Sequence, residues 1–100
     1  MSVLKFKVSG QSLTSLESSS ENIAGTKGYL TCNFDTNDNA WIGCQIIAEF
    51  NEKEAVLVRN KSCKVPDEYA NRPIFSIRLH GIRGRNYHIL TDKAYVELKG

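Results

Sequence analysis

Apolar and polar residues alternate in short stretches along this chain, separated by turn-forming clusters, and no helical period persists beyond two turns. Residues 3–8 put Leu4, Phe6 and Val8 on one face and Lys5 and Lys7 on the other. Residues 29–34 group Leu30, Cys32 and Phe34, and the strongest stretch, 41–50, groups Ile46, Ala48 and Phe50. A short apolar run at 55–58 follows the turn Asn51-Glu52-Lys53-Glu54, and residues 61–65 continue it. Residues 74–79 carry Phe75, Ile77 and Leu79 inward with Ser76, Arg78 and His80 outward. After a glycine hairpin over 81–86 the chain returns through 87–90. Residues 94–98 close the pattern with Ala94, Val96 and Leu98 on one face.

Two segments break the alternation. Residues 9–26 are rich in Ser, Gly, Asn and Glu, with only Leu13, Leu16 and Ile23 as anchors, and read as a long surface connection. Val65-Pro66-Asp67-Glu68 opens one helical turn near residues 66–70, because Pro suits the first helical position and carboxylates favour the positive end of the helix dipole. About seven short strands with turns between them predict an all-β domain spanning residues 1–100: an antiparallel β-sandwich, with a small barrel as the second choice. Trp41, entering the strongest strand after a polar turn, is expected to anchor the core with Phe34, Phe50 and Phe75.

Composition agrees with a globular domain: 100 residues, 41% hydrophobic, 24% charged, with 2 prolines and 7 glycines. No apolar run approaches the roughly 18–20 residues of a membrane span. The alternating start lacks the plan of a signal peptide, so folding in the cytoplasm of the producing cell is expected. An odd count of cysteines, Cys32, Cys44 and Cys63, argues against a disulfide framework and for buried free thiols, with a Cys32–Cys44 bridge left open outside a cell. The net charge of +2 is the sum of −2 over residues 1–50 and +4 over residues 51–100. That is too weak for a nucleic-acid stripe.

Each candidate for chemistry competes with a simpler role. Asp35, Asn37 and Asn39 begin like a calcium loop, but Ala40 stands where glycine is needed and Ile46 where a bidentate Glu belongs, so an Asx-rich turn is expected. His80 and His88 flank the glycine hairpin and can face each other across two strands, with no ligand-like Cys or carboxylate near them in sequence. Gly81-Ile82-Arg83-Gly84 matches a nucleic-acid-clamping GxxG in form only, since it joins strands rather than helices. Arg72, Arg78, Arg83 and Arg85 are read as a small cationic patch for an acidic surface on a protein partner. Cys63 between Lys61 and Lys64 favours a thiolate, but no base accompanies it. With no nucleophile elbow, phosphate loop, paired-carboxylate motif or dinucleotide fingerprint, neither an enzyme nor a cofactor or metal site is expected.

From Ala24-Gly25 onward an ordered set of residues carries a resemblance. It runs Tyr29 to Asp35, Trp41-Ile42-Gly43, Ala48-Glu49-Phe50, Cys63 to Glu68, Phe75 to Gly81, Leu90-Thr91-Asp92 and Val96. The set resembles the immunoglobulin-like domain of small phage virion proteins, found as head-decoration or head-fibre proteins and as tail or baseplate modules in phages of Gram-positive bacteria. Residues 9–22 have no counterpart in that family, and Asp92 stands where it often has Asn. The resemblance implies an immunoglobulin-like sandwich without the immunoglobulin disulfide, since Ile89 rather than Cys stands two residues after Tyr87. It also implies a virion-surface protein that binds the major capsid protein or another virion protein, as a monomer or trimer, with no nucleic acid or membrane as partner. A baseplate or tail adaptor, or a small intracellular inhibitor of a host protein, are the other readings.

Overall fold

Alternation becomes strand wherever one face is buried, and nearly every predicted stretch does so. The computed structural model describes residues 2–16, 30–70 and 72–97. Tyr29, Asn71, Leu98, the anchor Ile23, and Ala24 and Gly25 at the start of the resemblance lie outside the described residues. The elements are β1 (Ser2–Ser9), β2 (Ser12–Ser15), β3 (Leu30–Asp35), β4 (Gln45–Phe50), β5 (Glu54–Leu57), β6 (Ser62–Lys64), α1 (Asp67–Ala70), β7 (Ile74–Arg83), β8 (Tyr87–Leu90) and β9 (Ala94–Glu97).

They form two sheets. One has the order β2-β1-β3-β6; in the other β5, β4 and β7 run side by side, with β8 and β9 paired to successive parts of the long strand β7. The inner faces supply the core. Leu4, Phe6, Val8, Leu30, Cys32 and Phe34 come from the first sheet, and Ile46, Ala48, Phe50, Phe75, Ile77 and Leu79 from the second. Phe6 stacks on Phe34 with centroids 5.4 Å apart, and Phe50 meets Phe75 at 5.9 Å. The helical turn forms where Pro66 begins it: the amides of Tyr69 and Ala70 both donate to the Pro66 carbonyl, at 2.9 and 3.1 Å. It exists to bury Tyr69, whose ring stacks on Phe50 at 5.9 Å.

Three expectations need correcting. The sandwich is not wholly antiparallel, because β1 and β3 run parallel, Leu4 beside Cys32 and Phe6 beside Phe34. A parallel pair needs a long return of chain, and 20 residues of sequence, 10–29, separate β1 from β3. The described residues hold nine strands rather than seven. The extra ones are β2, hidden in the presumed connection with Leu13 as its one buried residue, and β6, which leaves the second sheet to join the first. Trp41 precedes the strand it was expected to open. It sits in the turn before β4, 2% exposed, with its indole Nε1 donating to the Gly10 carbonyl at 2.8 Å.

That bond is one of several tying the tip between β1 and β2 to the other sheet's loops. The Gly10 amide donates to Asp38 Oδ2 at 3.1 Å, the Leu13 amide to Asp92 Oδ1 at 2.9 Å, and the Asp92 amide to the Gln11 carbonyl at 2.9 Å. Asp92 is thus a clamp between the layers.

Candidate binding face

The outward face of the larger sheet is where the register assembles chemistry. Ile47 stands beside Leu57 and His80, Glu49 beside Ala55 and Arg78, His80 beside Leu90, Ile82 beside His88, and Ser76 beside Tyr95. Side chains on one strand alternate between faces and cross-strand partners share one. A single surface therefore carries a polar row with apolar residues around it.

The row is continuous. Arg78 Nη2 donates to Glu49 Oε2 at 2.9 Å, and the other carboxylate oxygen, Oε1, meets His80 Nε2 at 2.5 Å. His80 Nδ1 faces His88 Nε2 at 3.1 Å. Such a contact needs one ring N–H and one lone pair. If His80 Nε2–H donates a hydrogen bond to the carboxylate, Nδ1 of the neutral ring accepts from His88 Nε2–H. On the other side Arg78 Nη1 lies 4.0 Å from Glu52 Oε1, which Lys93 Nζ reaches at 2.8 Å. Burial pushes the Glu49 carboxyl up, but the hydrogen bonds and charges of His80 and Arg78 outweigh it and hold Glu49 below the usual glutamate range. Around this row Leu57, Ile74, Ile82 and Tyr95 are exposed, Tyr95 by 63%.

The predicted histidine pair is brought together, and with it a carboxylate that sequence spacing did not offer. Glu49 comes from β4, far along the chain, and only the register delivers it. The three groups are spent on one another. Among the described residues no cluster of three or more His, Cys, Asp or Glu side chains is placed to hold a metal.

The four arginines do not form one patch. Arg72 lies before β7 with Glu68 Oε2 at 3.5 Å, and Arg83 lies at the far end of that strand. Some 30 Å of strand separates the two ends at about 3.4 Å per residue. Arg78 is neutralised mid-sheet by Glu49. Arg83 stacks 4.2 Å over the Tyr87 ring and donates to the Ile42 carbonyl at 2.7 Å, while Arg85 is exposed at the tip beside it.

The Asp35 turn closes on itself: the Asn37 amide donates to Asp35 Oδ1 at 3.1 Å and the Ala40 amide to Asp38 Oδ1 at 2.9 Å. Two open clefts of about 370 and 380 Å³ flank that turn and share Asn37, Asn60 and Lys61 in their walls. Neither wall holds a histidine, and Asp35 is the one carboxylate between them. Cys44 donates its thiol to the Ala40 carbonyl at 3.7 Å, whereas Cys32 sits directly opposite Cys63. The neighbour that lowers the Cys63 thiol is therefore Cys32, through a hydrogen bond, rather than the flanking lysines.

Searched against protein-family models, the curated proteins and the solved structures, the chain gives no match in any of the three comparisons.

Proposed function

We propose that this chain is a structural component of a phage virion, an immunoglobulin-like decoration or head-fibre-anchoring domain that docks on the outer capsid surface. The reading is supported by the ordered residues around Trp41, Val65-Pro66 and the stretch Phe75 to Gly81. The observation that carries its mechanism is the outward face of the larger sheet. There the exposed residues Leu57, Ile74, Ile82 and Tyr95 surround charges already paired within the chain. Docking such a face removes apolar area from water, worth about 25 cal/mol per Å². The pairing of Glu49 with Arg78 and His80 lowers the usual penalty for burying charge, though Arg78 Nε has no hydrogen-bond partner among the described residues. The exposed Arg85, beside Arg83 at the rim, suits an acidic patch on the shell. Modest affinity per copy suffices where many symmetric sites present the same surface.

The test is binding of the purified chain to empty capsids of the phage encoding it. Saturation at an integral number of copies per capsomer is expected. Binding to tails alone would favour a baseplate or tail adaptor. Absence of the chain from purified particles, read by mass spectrometry, would favour an intracellular inhibitor of a host protein.

A further inference from the structure

We infer that Cys32 and Cys63 form a latent disulfide site: two thiols held in register across β3 and the edge strand β6, which hydrogen peroxide converts into a covalent bond between the strands.

The register carries the inference. Cys32 is the antiparallel partner of Cys63, with Thr31 opposite Lys64 and Asn33 opposite Ser62. On either side, Phe34 N–H donates to the Lys61 carbonyl and Val65 N–H to the Leu30 carbonyl, each at 2.9 Å. Directly opposed pairs alternate along an antiparallel ladder, so Cys32 and Cys63 share the hydrogen-bonded type. Their Cα atoms are then about 5.5 Å apart, inside the roughly 4.4–6.8 Å range that disulfides span. Both side chains point to the same buried face, at 0% and 7% exposure. Closure therefore needs no change of register, only side-chain rotation and a small local approach of the two strands, since the Cβ atoms of such a pair stand about 5.5 Å apart and a disulfide holds them at about 3.8 Å.

Two further features favour the reaction. The Cys32 thiol hydrogen-bonds to Cys63; that bond and burial raise Cys32 well above the ordinary thiol range, while the same bond lowers Cys63. Cys63, on the short outer strand and the more exposed of the two, is the sulfur that peroxide reaches first. Its strand has only three residues and, among the described residues, lies at the edge of its sheet, so small local openings admit a molecule as small as peroxide. The Cys63 thiolate attacks one peroxide oxygen, forming an S–O bond and breaking the O–O bond, and the displaced hydroxide takes a proton to leave as water. The Cys32 sulfur then attacks the Cys63 sulfenic sulfur. The S–S bond forms, the S–O bond breaks, and hydroxide leaves with the Cys32 proton as a second water. Two thiols give up two electrons and one peroxide accepts them.

The experiment treats the folded full chain with hydrogen peroxide, then denatures it, alkylates the remaining thiols and maps peptides by mass. A monomer lighter by two hydrogens is expected, with Cys32 joined to Cys63 and alkyl only on Cys44. The cross-linked form should melt at a higher temperature, and dithiothreitol should reverse the shift. The C44S variant should cross-link to the same extent. Alkylation of all three cysteines, a link involving Cys44, sulfinic acid at Cys63 with Cys32 still alkylated, or a lower melting temperature after closure would each overturn the inference.

Discussion

At the residue scale, the contact between Trp41 and Gly81 shows how a side chain too large for its place is accommodated. The indole lies against the backbone of β7. A Cβ at position 81 would fall 2.7 Å from Trp41 Cζ3, 2.8 Å from Cε3 and 2.9 Å from Ile89 Cγ2. All three distances are shorter than real contacts allow, and Trp41 is further held by its bond to the Gly10 carbonyl. Gly81→Ala should therefore destabilise the fold by about 1–3 kcal/mol through overpacking, read as a lower urea midpoint with an unchanged slope. Trp41→Ala, which empties the same space, should cost about 3–5 kcal/mol. Glu49 gives the pH prediction. Its folded pKa is lowered, so the stability it contributes is present above the ordinary glutamate value of about 4.3 and lost as pH falls through the folded value. Glu49→Gln should destabilise the neutral protein by about 1–2 kcal/mol, since hydrogen bonds to a charged group are the stronger kind. It should also flatten the acid limb of the stability curve. An acid limb unchanged by the substitution would remove Glu49 from that role.

At the element scale, two tight turns set strand register with a second residue ill suited to its place. Asn51 and Glu52 have φ of 51° and 59°, and Asn60 and Lys61 have φ of 52° and 61°. These are the paired left-handed positions of a type I′ turn, where Asn-Gly is the preferred sequence. Lys61→Gly should relieve that strain and raise stability by about 1 kcal/mol, less the exposed contact from Lys61 Nζ to Asn37 Oδ1 at 3.2 Å. Chemical denaturation would read the gain. The turn at 51–54 and the strands with three or more alternating apolar residues are legible in the sequence, because a half-buried strand imposes a period of two. β2 is not legible, since Leu13 is its one buried residue and a single apolar position has no period. The parallel pairing of β1 with β3 leaves no mark either, as the alternation is the same in both directions. Gly81 was read as part of the turn and lies within β7, because its role is to admit Trp41 rather than to reverse the chain.

At the scale of the whole molecule, the sandwich buries one face of each sheet and leaves the outer face of the larger one available for docking. Its individual residues were legible: Arg78 and His80 fall on the outward phase of their strand, and His88 opposes it. The missing member, Glu49, follows from the pairing of β4 with β7, which no local pattern specifies. The four arginines were misjudged as one patch for the same reason, since nearness in sequence along an extended strand is distance in space. If the outer face docks, then Ile82→Asp and Tyr95→Asp should weaken binding at least tenfold, because each puts a charge where apolar contact is needed, while leaving the melting temperature within a few degrees. Substituting Arg72, at the other end of β7 from the Arg83–Arg85 tip, should leave affinity nearly unchanged. The decisive measurement is a binding isotherm of the wild-type chain and Tyr95→Asp on empty capsids. Saturable, integral binding by the wild type and its loss in the variant are predicted; no binding by the wild type, or equal binding by both, would contradict docking through this face.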